Sequence, residues 1–345
     1  MPATLKDVAL LAGVSLATAS HALNGKRVKA ETRERVLDAA KKLQYHRSTI
    51  GRNLIKNRSN IIGMFVLNSK KSRDMTEEIS YYYAMLKGAL SSVQQHDYVF
   101  NFEVIDWEDL ESKNYIEKKI YSRSIDGMIL VPQFMYHYSF MSILEKECFP
   151  YVIINPSIDI EPKNTVRIDN YTGAYLAADY LLKLGHKDIA FINGPKEHKD
   201  SYEREKGFLA RLLESGICYN KDEIVYADFT HDGGYDAILK ILKNKNKIPD
   251  AVFCSNDYMA SGAMAAIYES GMEVPGDISL IGYDDTDIAR CIHPKLTTIK
   301  SDVKRMGILA AERVLQLISL KGKESKLDEI VLKPNLIIRN STAVR

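Results

Sequence analysis

The sequence lacks the features that mark common enzymes, exported proteins and membrane proteins. It has no GxxxxGK[ST], GxSxG or HExxH motif and no GxGxxG after an apolar run, so the sites built on these motifs are excluded. No apolar run reaches the roughly 18 residues that cross a bilayer. The opening residues, MPATLKDV, have no basic stretch followed by an apolar segment. We therefore expect a cytoplasmic protein that makes no membrane contact.

Cysteine is also scarce, with four residues that lie far apart and form no CxxC motif or Cys/His cluster: Cys148, Cys218, Cys254 and Cys291. This pattern predicts reduced, mostly buried thiols without a metal site or a cofactor. Paired acids do occur, as at Asp284 and Asp285, but neighbours in sequence would not flank a substrate. The sequence therefore predicts that the protein is not an enzyme.

A net charge of +2 conceals two regions of opposite sign. Residues 1–58 hold 12 Lys or Arg against 4 Asp or Glu, whereas the remainder holds 35 against 41. Basic runs are often only solvated helix faces, but an excess in one short segment favours a polyanionic partner. A chain of 345 residues is long enough for two or three domains, so a small basic head on a larger body is predicted.

The basic head has the pattern of three short helices, near residues 5–11, 15–23 and 31–43. Helix-turn-helix geometry needs a small residue where two helices cross, a glycine four residues later and an apolar residue six further on. Ala9, Gly13 and Ala19 have this spacing, and Ser15 can cap the second helix. The head is therefore predicted to bind DNA.

The second helix of the head is predicted to enter the major groove. That placement directs Leu16, Ala17 and His21 toward base edges. The predicted phosphate-facing residues are Ser15, Thr18, Ser20 and Asn24, and Thr4 is a further candidate for DNA contact. The alternative is that Leu16 and Ala17 only pack against a neighbouring helix.

From residue 61 onward, about nine apolar strands alternate with amphipathic helices. This alternation predicts parallel sheets covered on both faces, and so many units favour two doubly wound subdomains. Polar residues follow several strands, at the end where such sheets bind ligands: Asn155, Asp169, Asn193, Asp228, Asn256 and Asp284. Helix caps and turns are the alternative explanation for each of them.

The segment TLKDVALLAGVSLATASHALNG resembles the N-terminal signature of the LacI/GalR family of bacterial regulators. The segment YHRSTIGRNLIKNRSNIIG is similar to the family's hinge helix, which the resemblance implies would wedge Leu54 into the minor groove between Arg52 and Lys56. An ordinary packing leucine is the alternative. The sequence departs from the family pattern at Arg47, where proline is usual, at Gly51, where alanine is usual, and at His21, where arginine is usual.

The remainder of the chain resembles the family's effector domain, in segments such as SNDYMASGAMAAIYESGMEVPGDISLIGYDD and PKLTTIK. The resemblance implies an α/β protein: a helix-turn-helix head (1–46), a hinge (47–60) and two doubly wound subdomains like those of periplasmic sugar-binding proteins. The expected subdomains are 61–163 with 297–322, and 164–296 with 323–345. The residues that it implies for effector binding are Tyr81, Tyr82, Asn155, Asp169, Arg204, Phe229, Asn256 and Asp284.

These features together predict a homodimeric repressor of sugar-utilisation genes that binds a roughly palindromic DNA operator. A small effector in the cleft between the subdomains, most naturally a sugar, would control it. The alternative is a regulator of the same family that responds to a purine or another metabolite. A sugar-binding transport component is a more remote alternative, which the basic head argues against.

Overall fold

The computed structural model comprises two compact units, Met1–Ser59 and Asn60–Arg345. It describes residues 3–45, 58–68, 79–106, 110–133, 140–156, 163–217, 224–243, 248–320 and 327–345. None of the helices in these ranges combines the length and the hydropathy that crossing a membrane requires.

The first unit is a three-helix head made of α1 (Leu5–Leu11), α2 (Leu16–Leu23) and α3 (Ala30–Lys42). Ala9 and Ala19 are buried where the first two helices meet, and only small side chains allow so close a crossing. Gly13 has a φ of +64°, a left-handed conformation that glycine adopts without strain. The predicted helix-turn-helix is confirmed.

Side-chain caps determine where the first two helices begin. Thr4 and Asp7 form a capping box at the start of α1. The Ser15 hydroxyl accepts a hydrogen bond of 3.1 Å from the backbone N–H of Thr18 at the start of α2. These bonds satisfy amide groups that the first turn of a helix leaves without partners, and they place the turn before Leu16.

The second unit contains two six-stranded sheets. The elements up to the first crossover are β1 (Ile61–Asn68), α4 (Ile79–Gln94), β2 (Val99–Asp106), α5 (Leu110–Tyr121), β3 (Gly127–Pro132), α6 (Met141–Lys146), β4 (Tyr151–Ile154) and β5 (Thr165–Ile168). The next are α7 (Asn170–Lys183), β6 (Ile189–Asn193), α8 (Lys199–Glu214), β7 (Ile224–Tyr226), α9 (His231–Leu242), β8 (Ala251–Cys254), α10 (Asp257–Glu269), β9 (Ser279–Asp284), α11 (Asp287–Cys291) and β10 (Thr297–Lys300). The last are α12 (Val303–Leu320), β11 (Ile330–Leu332) and β12 (Asn335–Ile337).

The first sheet has the strand order β11-β5-β4-β3-β1-β2 and is parallel throughout. The second has the order β12-β10-β9-β8-β6-β7, in which only the β10–β12 pair is antiparallel. Alternate residues of β1 enter separate cores on the two faces of the first sheet, with Met64 on one face and Phe65 on the other. The predicted architecture of two doubly wound α/β subdomains is confirmed, and burial on both faces explains the continuous apolar strands.

Sheet membership differs from the predicted subdomain boundaries at three strands. Thr165–Ile168 and Ile330–Leu332 pair with each other in the first sheet, although the boundaries at 164 and 323 assigned them to the second subdomain. Thr297–Lys300 pairs with β9 in the second sheet, although it was assigned to the first subdomain. Strand patterns reveal that a strand exists, whereas the sheet that it joins depends on which other strands it pairs with, and these can be far away in sequence, as for Val166 and Ile330.

Helices α4 and α12 cross at two glycines on one side of the first sheet. A Cβ atom at Gly307 would lie 2.1 Å from the carbonyl oxygen of Met85, and one at Gly88 would lie 2.1 Å from that of Lys304. Backbone approach this close leaves no room for a methyl group. The crossing holds α4 against the sheet, and α4 carries the predicted effector contacts Tyr81 and Tyr82.

We expect Gly307→Ala to lower the free energy of unfolding by about 1–3 kcal/mol, because the methyl group forces the two helices apart. Urea denaturation followed by circular dichroism measures the effect. Gly276→Ala is the matched control, because its new Cβ would come no nearer than 3.4 Å to another atom. Equal denaturation midpoints for the two variants would show that the α4–α12 crossing tolerates a side chain.

Candidate functional site

Helix α2 presents small and apolar side chains on the outside of the head. Leu16 is 53% exposed, and Ala17 and His21 are exposed as well. The buried residues of the helix are Ala19 and Ala22, which face α1 and α3. Leu16 and Ala17 therefore do not serve as internal packing residues, and α2 has an outer surface that is available to a partner.

The polar residues at the ends of α2 bond to one another. The hydroxyls of Ser15 and Thr18 are 2.8 Å apart, and the Asn24 amide donates to the Ser20 hydroxyl at 3.1 Å. These bonds hold the polar groups beside the exposed apolar positions. The predicted hinge residues Arg52, Leu54 and Lys56 lie outside the described residues, as do Arg47 and Gly51.

The second unit contains a cleft at the carboxyl ends of the strands of both sheets. The space between its walls amounts to about 630 Å³, part of which is open solvent at the mouth. The first subdomain lines it with Tyr81, Tyr82, Val131, Pro132, Gln133 and Asn155. The second lines it with His198, Asp200, Arg204, Phe229, Asn256, Asp257, Tyr258, Asp284 and Thr286.

Arg204 is the buried centre of the cleft wall and is only 3% exposed. Its guanidinium donates to the backbone carbonyl of Ser255 and to the Asn170 side chain, and it stacks 3.9 Å from the centre of the Tyr283 ring. The carboxylates of Asp200 and Asp284 lie 3.9 and 3.8 Å from the same nitrogen, Nη2. Burial alone would lower the pKa of Arg204, but these acids and Tyr283 raise it, so it stays charged.

Two carboxyl groups of the cleft wall, those of Asp284 and Asp257, have raised pKa values. Burial raises the pKa of Asp284 to about 6, although Arg204 and a hydrogen bond from Ser301 act to lower it. Burial, and then the charge of Asp284, raise the pKa of Asp257 to about 8 against hydrogen bonds from Thr298 and Thr286. Both carboxyl groups therefore hold a proton more readily than an ordinary aspartate, and Asp257 does so more than Asp284.

The first turn of α8 joins the two sides of the cleft. His198 Nε2 lies 3.0 Å from Gln133 Oε1, which also accepts a hydrogen bond of 2.6 Å from the Tyr82 hydroxyl. The Asn155 amide donates to Asp200 at 3.1 Å, and Lys199 Nζ donates to a backbone carbonyl of the first subdomain. Since Gln133 and Asn155 directly follow strands β3 and β4 of the first sheet, these bonds connect the subdomains across the cleft.

Aromatic side chains cover two walls of the cleft. Phe229 has a φ of +67°, and its ring occupies the space that a Cβ atom at Gly194 would need. The Asn256 side chain donates to the Phe229 carbonyl at 2.8 Å and thereby holds that loop. On the opposite subdomain, the rings of Tyr81 and Tyr82 meet edge to face with their centres 5.5 Å apart.

Seven of the eight predicted effector residues line the cleft, and the exception is Asp169. The Asp169 carboxylate caps α7 by accepting from the Thr172 backbone at 3.0 Å, so the capping alternative describes it. Gln133, His198 and Asp200 line the cleft but were not predicted. Asp200 could have been found, because it precedes Arg204 by four residues and therefore shares its helix face. His198 and Gln133 have no comparable signal in the sequence.

Within the described ranges, no group of three or more His, Cys, Asp or Glu side chains could hold a metal ion. The cleft combines aromatic faces, one guanidinium, carboxylates and amides around a space open to solvent. Groups of these kinds can stack on a small polar molecule and form hydrogen bonds with it.

Two family models match this chain. The model of "Bacterial regulatory proteins, lacI family" matches residues 4–48, and that of "Periplasmic binding protein-like domain" matches residues 178–342. The first match contains all of the described head from Thr4 onward. The second match ends at residue 342, after the last strand, β12, of the second unit.

Curated relatives match nearly the whole chain. An HTH-type transcriptional repressor PurR of Histophilus somni (strain 129Pt) is 35% identical over 98% of both chains. A probable HTH-type transcriptional repressor ExuR of Bacillus subtilis (strain 168) is 32% identical, again over 98% of both.

Solved structures extend the likeness to three dimensions. The Lac repressor dimer bound to operator and the anti-inducer ONPF is 28% identical over 99% of this chain and 100% of its own, with a TM-score of 0.85. The transcriptional regulator CelR in complex with cellobiose is 27% identical over 98% and 99%, with a TM-score of 0.73. The chain therefore belongs to the LacI family of bacterial regulatory proteins and is a DNA-binding transcriptional repressor, not an enzyme.

Proposed function

We propose that a purine-type ligand in the cleft between the subdomains controls how tightly this repressor binds its operator. The carrying observation is that several curated relatives, 33–35% identical over nearly their full length, are named PurR. The sequence alone favoured a sugar, with a purine as the alternative. The relatives support the alternative better than the sugar.

The cleft offers complementary chemistry to a purine base. A purine has two flat apolar faces and an edge that carries both ring nitrogens that accept and N–H groups that donate. Phe229 and the Tyr81–Tyr82 pair can cover the faces. Arg204 can donate to an acceptor on the edge, while Asp284 can accept from an N–H group. The walls thus match both properties of the base.

A saccharide is the second candidate. The CelR relative was solved with cellobiose, and an Enterococcus faecium regulator of the family, 26% identical over 83% of this chain, was solved with ribose. Sugar hydroxyls both donate and accept, and aromatic rings stack on the apolar face of a pyranose. The same lining residues would contact a saccharide, so binding measurements must distinguish the two candidates.

In DNA binding, we propose that α2 reads base edges in the major groove. Leu16 and Ala17 can contact thymine methyl groups, and His21 can form a single hydrogen bond to a base. Ser15, Thr18, Ser20, Asn24 and Thr4 are proposed to contact or position phosphates. Arg52, Leu54 and Lys56 remain proposed hinge contacts from the sequence.

We propose that the protein acts in the cytoplasm as a homodimer. Tyr83 and Leu90, seven residues apart on one face of α4, are 61% and 39% exposed. Val99, on the edge strand β2 of the first sheet, is 63% exposed. Exposed apolar side chains on neighbouring elements are typical of an association surface. A two-fold dimer would need a roughly palindromic operator.

Selection from a random DNA pool should return a roughly palindromic site. We expect His21→Arg to change the preferred base at one symmetry-related position in each half-site, because arginine makes a bidentate contact with guanine. Sequencing of the enriched DNA and fluorescence anisotropy measure the preference. Leu37→Arg is the control, since it adds the same charge at an exposed position on α3. If His21→Arg kept the parental preference, His21 would not read a base, and a non-palindromic site would contradict the dimer.

Isothermal titration calorimetry of the full chain should show binding of hypoxanthine or guanine in preference to cellobiose or ribose. Arg204→Lys should weaken that binding by about 10–100-fold, because one ammonium cannot replace the guanidinium fork. Arg211→Lys makes the same exchange on the same helix, where Arg211 pairs with Asp179 outside the cleft. Saturable binding of a saccharide with none of a purine would replace the first candidate with the second.

Effector affinity should depend on pH through Asp284. Its pKa of about 6 lies above the ordinary aspartate value of 3.8, so the carboxylate that accepts an N–H group is lost as pH falls through 6. Affinity should therefore fall by up to tenfold per pH unit below pH 6, whereas above pH 7 the further change in the cleft is ionisation of Asp257, whose pKa is about 8. Calorimetry between about pH 5 and pH 8 measures this change in affinity, and Asp284→Asn should remove the decline at low pH. A decline that persists in Asp284→Asn would point to another group.

A further inference from the structure

The ionisable side chains that line the cleft are unevenly divided between cations and acids. Among the described lining residues, they are the guanidinium of Arg204, the imidazole of His198 and the carboxyl groups of Asp200, Asp257 and Asp284. Even without a charge on Asp257, whose pKa is raised, one positive charge faces the two negative charges of Asp200 and Asp284. The described walls therefore have an excess of negative charge.

The positive charge of Arg204 already has two carboxylate partners, Asp200 and Asp284. Arg204 has both carboxylates within 4 Å of Nη2, and its other nitrogens donate to the Ser255 carbonyl and the Asn170 side chain. An anionic ligand that approached the guanidinium would also approach both acids. Since those acids are nearly as buried as Arg204, water screens the repulsion weakly.

The two basic side chains at the start of α8 do not alter this balance. His198 Nδ1 accepts a hydrogen bond from the Asp200 backbone N–H at 3.2 Å, and Nε2 faces the Gln133 oxygen, an arrangement that fits the neutral imidazole. Burial lowers the pKa of His198 to about 4, in agreement with this arrangement. Lys199 directs its ammonium to the Pro156 carbonyl and to Glu203, 3.5 Å away, and it is not a lining residue.

The other polar groups of the described walls are neutral and can both donate and accept. Gln133, Asn155 and Asn256 contribute amides, and Thr286 and the tyrosines contribute hydroxyls. Such neutral groups do not compensate for the charge of a buried anionic ligand.

We infer that the cleft selects an uncharged effector, such as a free nucleobase, a nucleoside or a neutral saccharide, over anionic nucleotides, sugar phosphates and sugar acids. The inference rests on the proposed function only in placing the effector in this cleft. It holds equally for a purine and for a sugar, because charge and not shape is selected.

Matched pairs of compounds test the selection on the full chain: hypoxanthine with urate, inosine with inosine monophosphate, ribose with ribose 5-phosphate, and galactose with galacturonate. For each pair that binds, calorimetry near pH 7.5 should show the neutral member bound about tenfold or more tighter. An anionic member that bound more tightly than its neutral partner would overturn the inference. If neutral sugars bound more tightly than their anionic partners and no purine bound, the purine proposal would be contradicted and this inference would be supported.

A variant shows whether the cleft acids cause the selection. Asp200→Asn removes one negative charge with little change of shape and should reduce the ratio of neutral to anionic affinity by about tenfold. Asp236→Asn, at an exposed position on α9, is the matched control and should leave the ratio unchanged. An unchanged ratio in Asp200→Asn would show that the acids do not exclude anions.

Inorganic phosphate provides a probe that does not depend on knowing the effector. If the cleft excludes anions, added phosphate should shift the melting temperature of the parent protein and of the charge-neutral variant Arg204→Gln equally. A shift present in the parent but lost in Arg204→Gln would place phosphate beside Arg204 and overturn the inference. Equal shifts support it, because any phosphate effect would then not depend on the cation of the cleft.

Discussion

The second unit is organised around the buried positive charge of Arg204. Arg204 comes from α8, yet its partners come from α7, from the strand end at Ser255 and from Asp284 at the end of β9. A guanidinium that is 3% exposed is stable only if its charge and its N–H groups are met by the protein. Those requirements hold α7 and the carboxyl ends of β8 and β9 in place relative to α8. They also place the carboxylates of Asp200 and Asp284 at the surface of the cleft.

The same stretch of α8 reaches the other subdomain. About one turn before Arg204, His198 bonds to Gln133 and Asp200 bonds to Asn155. Gln133 and Asn155 directly follow two strands of the first sheet. A ligand that bound to Arg204 or Asp200 would therefore alter side chains that lie next to the bonds between the two subdomains. If an effector controls operator binding as proposed, differential contacts of this kind are what it needs to favour one state over another.

Much of the cleft was predictable because parallel sheets bring the carboxyl ends of their strands to one edge. That rule located Asn155, Asn256 and Asp284 from the apolar runs before them. It could not separate a ligand contact from a cap: Asp169 caps α7, whereas Asn256 both caps α10 and lines the cleft. His198 and Gln133 escaped prediction because their significance comes from meeting across 65 residues of chain.

The amino-acid sequence by itself determined the local features of this protein: the basic head, the turn at Gly13, the capped helix α2 and the alternation of apolar strands with amphipathic helices. These follow from spacing and composition within a few turns of chain, where propensity and capping act. Only the tertiary structure decided which sheet each of β5, β10 and β11 joins, and how the cleft charges balance. Strand pairing and burial arise between distant segments, and a carboxylate's charge depends on what surrounds it.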